Sequence, residues 1–136
     1  MSNLFVYGTL LSKYRNPHTG TIECHSRNLS LKGLHYTEGW IENYTLYWPP
    51  ELTFPFIAPY EGKKVFGELY YNLDSIKLKE LDIIEHVPFG YFKRIMVKVY
   101  MKKGIEKAFT YIGGKILRKR FGNASNYEYM DCRITP

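Results

Sequence analysis

Short apolar runs broken by glycine and proline fill the first half of the chain, and one long alternating stretch dominates the second. Leu4-Phe5-Val6-Tyr7, stopped by Gly8, reads as a buried strand ending in a glycine turn. The polar stretch Leu11–Thr21, with Pro17 and Gly20, reads as loop or a short helical turn. Leu29 and Leu31 alternate ahead of Gly33, which predicts a kinked strand over Leu29–Tyr36. Tyr44–Trp48 predicts a further short strand, closed by Pro49-Pro50. Phe54–Pro59 carries two prolines that cannot donate to a ladder, so it is expected as an ordered apolar loop or an edge segment. Val65–Tyr71 predicts a strand. Asp74-Ser75 is a good helix N-cap, and Ile76–Glu85 follows as a helix ended by Pro88 and Gly90. Tyr91–Met101 is the strongest strand pattern: Ile95, Val97 and Val99 share one face, while Arg94, Lys98 and Tyr100 mark the other. Lys102-Lys103-Gly104 turns the chain into a hairpin partner over Glu106–Ile112, which Gly113-Gly114 breaks. Ile116–Arg120 is a short basic segment, and the tail after Gly122 is polar and aromatic. With no internal repeat and no linker, these elements predict one α+β domain over residues 1–136, rich in strands and with one clear helix.

Composition narrows the class without changing that picture. A chain of 136 residues is one ordinary domain; two separate cores would each be small and weak. With 45% hydrophobic and 24% charged residues it is not largely disordered, collagen-like or a coiled coil. No apolar run approaches the roughly 20 residues that cross a bilayer. The N-terminal Met1–Val6 lacks the basic region and long apolar stretch of a signal peptide, which predicts a cytoplasmic protein with no membrane partner. The net charge of +6 admits nucleic acid or acidic small molecules as partners and selects neither. Cys24 and Cys132 are too few for a disulfide scaffold and are expected to be reduced, structural thiols. Thirteen tyrosines favour pleated surfaces and could also offer stacking platforms for bases.

One carboxylate falls on the wrong face of the predicted helix. Residues advance about 100° each, so Leu78, Leu81 and Ile84 form the buried stripe. Glu85 lies seven residues after Leu78 and four after Leu81, and so projects toward the core at the helix C-terminus; Asp82 sits at the edge of the stripe. Burial and the negative end of the helix dipole both favour the protonated form and push such a carboxyl upward. A group tuned this way suits a base that later acts as an acid. The plainer alternative is a frayed helix end, with Glu85 in solvent or paired with Lys79, Lys93 or Arg94. A second candidate is the turn Tyr7-Gly8-Thr9-Leu10, directly after the first strand. Consecutive N–H groups there can form an anion-binding concavity, glycine lets a ligand approach the backbone, and the Thr9 hydroxyl adds a donor. It is not a phosphate loop, lacking the second glycine and the lysine. Taken by itself, a strand ending in Gly-Thr is an ordinary turn.

Together these segments resemble the gamma-glutamylcyclotransferase-like family, the AIG2-like group that includes gamma-glutamylamine cyclotransferases. The resemblance is carried by Phe5-Val6-Tyr7-Gly8-Thr9-Leu10, by Phe54–Pro59 followed by Val65–Tyr70, by Leu81-Asp82-Ile83-Ile84-Glu85 running into Arg94–Val99, and by Ala108-Phe109-Thr110-Tyr111. It covers most of residues 3–112 and weakens over 113–136. It implies a small closed or nearly closed mixed β-barrel with one main helix and short helical turns. It places the catalytic glutamate on Glu85, the substrate-holding loop on Tyr7, Gly8, Thr9 and Leu10, and a further pocket tyrosine on Tyr111. The implied reaction is attack of the α-amine of a gamma-glutamyl compound on its own γ-carbonyl, releasing 5-oxoproline and an amine or amino acid. No metal or cofactor is implied, and the partner is the small-molecule substrate. Two positions depart from the family: His86 stands where glycine is frequent, and Phe92 stands where tyrosine is common, with Tyr91 one place early.

Two readings from other classes compete. The fold can host a ligand-binding or interaction module without catalysis. Lys115, Arg118, Lys119 and Arg120 beside Phe121 could serve single-stranded nucleic acid, although a solvated basic segment is the plainer reading. His18, His25, His35 and His86 lack ligand spacing, and Glu61 and Glu68 are expected to face solvent. The pattern leaves the oligomeric state open.

Overall fold

The computed structural model describes residues 1–121, 128–129 and 131–133. The polar and aromatic tail expected after Gly122 otherwise lies outside the described residues. Strand β1 (Ser2–Val6) is followed by the two-residue strands β2 (Tyr14–Arg15) and β3 (Ile22–Glu23) and by a 3₁₀ turn at Ser26–Leu31. Then come β4 (Tyr36–Tyr47), β5 (Phe56–Leu73), helix α1 (Ser75–Ile84), a 3₁₀ turn at Val87–Phe89, β6 (Phe92–Met101), β7 (Gly104–Gly113), helix α2 (Lys115–Phe121) and β8 (Glu128–Tyr129).

The strand pairing closes on itself. β1 runs antiparallel to β5, with Phe5 opposite Leu69, and parallel to β7, with Leu4 opposite Phe109. β7 and β6 form the predicted hairpin, β6 meets β4 at Tyr100 and Trp40, and β4 returns antiparallel along β5. The result is the expected mixed α+β fold, in which five strands form a ring and β8 adds to β4. Phe5, Ile41, Val65, Leu69 and Val99 project inside it and are almost wholly buried. Each such side chain contributes roughly 1.5–3 kcal/mol relative to exposure.

Two expectations are corrected and one is met in its edge form. Leu29–Tyr36 is not a strand: Leu31 alone is buried, from a 3₁₀ turn, while Leu29 faces solvent. Two alternating leucines cannot establish a period without a ladder partner. Phe56–Pro59, expected as loop or edge, is the edge segment: it belongs to β5 and pairs there with β4 alone, Tyr44 facing Pro59, which accommodates the proline. Between Pro59 and Lys64, residues 60–63 of β5 face the single Asn43, whose side chain accepts the Gly62 N–H at 3.0 Å. Finally, Ile116–Arg120 lies within a second helix, α2, whose Leu117 and Phe121 are buried.

The two thiols differ in setting, Cys24 exposed and Cys132 buried. Burial, then the nearby Asp131 charge, push the Cys132 thiol up to about 12 from 9.0. Near pH 8, ionisation alone should slow its alkylation roughly 10³-fold relative to a thiol at the ordinary value. Thiol titration of the folded protein should therefore show one fast group, with the second released by denaturant; two fast groups would contradict this packing. Among the described residues no helix is long and apolar enough to cross a membrane.

Candidate active site

Helix α1 places the carboxylate. Asp74 caps it, its side chain accepting the Lys77 N–H at 2.7 Å, and Leu78 and Leu81 bury its inner face. Glu85 is the C-terminal cap and donates its N–H to the Leu81 carbonyl at 2.8 Å. Its side chain therefore keeps the direction set by Leu78 and Leu81, and the residue is only 4% exposed. The frayed-end alternative does not describe this arrangement. The helix ends because His86 takes the left-handed conformation, φ 53°, and Gly90 does the same at φ 81°. This explains why glycine suits position 86: a left-handed residue after a helix carries no Cβ penalty as glycine. Here histidine occupies it.

Strand β1 places the turn. Gly8–Leu11 is closed by the Leu11 N–H donating to the Gly8 carbonyl at 2.9 Å. Gly8 is not in the left-handed region; its missing side chain serves packing instead. A Cβ there would stand 2.3 Å from Cγ and 2.8 Å from Cδ of Pro55. The turn is also fastened from behind. Ser12 donates its backbone N–H to Glu68 Oε1 at 2.9 Å and its hydroxyl to Oε2 at 2.7 Å. Tyr70 adds a hydroxyl to Oε1 at 3.3 Å. Glu68, expected in solvent, is 6% exposed. Its outward strand face is covered by the 8–35 excursion, which local alternation could not reveal. Glu61, by contrast, faces solvent as expected. Replacing Glu68 by Ala should cost roughly 2–3 kcal/mol, since both Ser12 donors lose a charged acceptor. Urea unfolding measures this, and an unchanged midpoint would mean that the fastening contributes nothing.

All six residues singled out in the sequence line one cavity: Tyr7, Gly8, Thr9, Leu10, Glu85 and Tyr111. Phe5, Val6, Phe54, Pro55 and Phe92 complete the lining. Its inner space is about 20 Å³, room for one small polar group. A second hollow of about 260 Å³ adjoins it and shares Phe54, Glu85 and Phe92. Glu85 thus stands at the junction of a small recess and a wider groove.

The tyrosines are held as neutral donors. Tyr7 donates its hydroxyl to the Tyr111 carbonyl at 2.5 Å, and Tyr111 donates to Asp82 Oδ1 at 2.7 Å. Burial first, and the negative charge of Glu85 second, push the Tyr7 phenol well above its ordinary value. Burial and then the Asp82 hydrogen bond do the same for Tyr111, with Glu85 adding a smaller push. The Asp82 carboxylate faces the Arg94 guanidinium at 3.4 Å, which lies over the Phe109 ring at 4.7 Å. Sequence reading missed this Tyr111–Asp82–Arg94 chain because its members come from β7, α1 and β6. The Asp82 position at the edge of the helical stripe was the one available signal.

The other candidates lie apart. Phe121 packs against Phe56, with centroids 6.4 Å apart, so the stacking platform that the competing nucleic-acid reading needs beside the basic cluster is buried. Among the described residues no three His, Cys, Asp or Glu side chains are grouped as a metal site.

A family model described as gamma-glutamyl cyclotransferase, AIG2-like, matches residues 4–129. The chain belongs to this family. No curated protein matches by sequence. Among solved structures, an uncharacterized protein of Pyrococcus horikoshii is 28% identical with a TM-score of 0.56, over 85% of this chain and 80% of that one. An AIG2-like protein of Mus musculus is 23% identical with a TM-score of 0.63, over 82% and 76%. A gamma-glutamyl cyclotransferase is 17% identical with a TM-score of 0.61, over 82% and 66%. The latter two likenesses concern the fold.

Proposed function

We propose that this protein is a gamma-glutamylcyclotransferase-like enzyme, which converts a gamma-glutamyl amine or peptide to 5-oxoproline and a free amine. The observation that carries this reading is a buried carboxylate, Glu85, opening into the same cavity as the Tyr7–Leu10 turn. The substrate α-carboxylate enters the small recess, where backbone N–H groups of the turn meet it. The α-ammonium group then lies beside Glu85, which takes its proton. The freed amine attacks the γ-carbonyl; the new C–N bond closes a five-membered ring, and the bond to the departing nitrogen breaks. In all, the α-nitrogen loses two protons and the leaving nitrogen gains two, departing as an ammonium ion, with Glu85 passing protons between them. Holding the chain folded replaces a bimolecular encounter and supplies much of the acceleration. Neutral Tyr7 and Tyr111 leave Glu85 as the proton carrier of this cavity. The chemistry needs no redox step.

The test is a screen of gamma-glutamyl amines, peptides and the ε-lysine isopeptide, with 5-oxoproline measured as product. At least one should turn over. Product from none would move the protein to the binding-module reading.

A further inference from the structure

We propose that the 260 Å³ hollow beyond Glu85 receives the leaving group, and that it selects an apolar or aromatic primary amine without a carboxylate. This inference rests on the cyclotransferase reading and specifies its substrate class. The hollow is lined by Phe54, Ile84, Glu85, His86, Tyr91 and Phe92. It shares Glu85 with the recess that takes the α-carboxylate, so a γ-amide anchored there directs its departing nitrogen outward, past the proton carrier, into this groove.

The groove is aromatic. The Phe54 and Phe92 rings pack with centroids 5.6 Å apart, and the His86 ring contacts both Tyr91 at 5.9 Å and Phe89 at 6.2 Å. His86 and Phe92 both stand in this wall, and Phe92 is shared with the inner recess. Among the described residues its lining contains no lysine or arginine. Arg94, the cation tied into the neighbouring network, already faces Asp82. A departing amino acid would bring its own carboxylate into an apolar groove beside Glu85, desolvated and without a counter-ion. A benzylamine or a branched alkylamine would instead bury its hydrocarbon against the rings while its nitrogen stays at Glu85.

The experiment compares kcat/KM for gamma-glutamyl-benzylamide, gamma-glutamyl-isoamylamide, gamma-glutamyl-alanine and the gamma-glutamyl isopeptide of lysine, for wild type and Tyr91→Arg. Tyr91 is 39% exposed, so arginine fits at the rim without entering the core. Wild type should favour the two apolar amides by about tenfold or more, the scale on which hydrophobic pockets discriminate. Tyr91→Arg should shift the ratio toward gamma-glutamyl-alanine by about as much, because it supplies the missing cation. Turnover with gamma-glutamyl-alanine or the isopeptide preferred by wild type would overturn the subsite while leaving the cyclotransferase reading intact. An unaltered ratio in a folded, active Tyr91→Arg would also overturn it. No turnover of any of the four, with both proteins folded by circular dichroism, would reject the cyclotransferase reading and the subsite together.

Discussion

Glu85→Gln should release 5-oxoproline at least about 10²-fold more slowly than wild type, within the ~10²–10⁴-fold range of a positioned acid–base group. Glutamine keeps the shape of the side chain and some of its hydrogen-bonding capacity but cannot take the ammonium proton. Product binding should survive, because the Tyr7–Leu10 turn is closed and fastened without Glu85. The melting temperature should not fall, since a neutral amide in a site only 4% exposed carries less desolvation cost than a carboxylate. Steady-state release and a thermal melt on the two proteins check this. Near-normal turnover in the mutant would remove Glu85 from the mechanism, whatever the family.

The second large effect is expected at Gly8, and it tests how the recess is built rather than what it does. Gly8→Ala puts a Cβ into the Pro55 ring. That overpacking should cost about 1–3 kcal/mol and displace the turn. KM should rise with it, because in the proposed binding mode the turn holds the substrate carboxylate. Pro55→Ala deletes the two ring atoms involved. The double mutant Gly8→Ala with Pro55→Ala should therefore be more stable than the sum of the two single changes by about 1 kcal/mol, a favourable coupling between touching residues. Additive losses in urea unfolding would show that Gly8 is required for some other reason.

The resemblance that singled out the candidate residues rested on short motifs, and the structure brings those residues to one cavity. Glu85 was legible because helical periodicity is local: seven residues from Leu78 and four from Leu81 fix its direction whatever the helix packs on. The Tyr7–Leu10 turn was legible because a glycine ended a buried run. The strand pattern of β6 and the hairpin to β7 were legible for the same reason, since alternation and a Lys-Lys-Gly turn lie within one continuous stretch.

Other features had no local signal. Glu68 alternates like a solvent-facing residue, and only the excursion after β1, which returns across β5, encloses it. β4 was read as Tyr44–Trp48 and is instead Tyr36–Tyr47, because Glu38 and Glu42 occupy an outer face whose pairing with β5 the chain states nowhere locally. The same holds for Pro55, whose ring fills the space of an absent side chain 47 residues earlier. The sequence by itself determined which residues are candidates for the chemistry, because their side-chain types and local periods are properties of short segments. Only the tertiary structure decided what surrounds them: the Ser12–Glu68 fastening, the Tyr111–Asp82–Arg94 chain and the aromatic groove beyond Glu85. Each depends on ring closure bringing distant strands together, and burial, unlike periodicity, is not a property of any one segment.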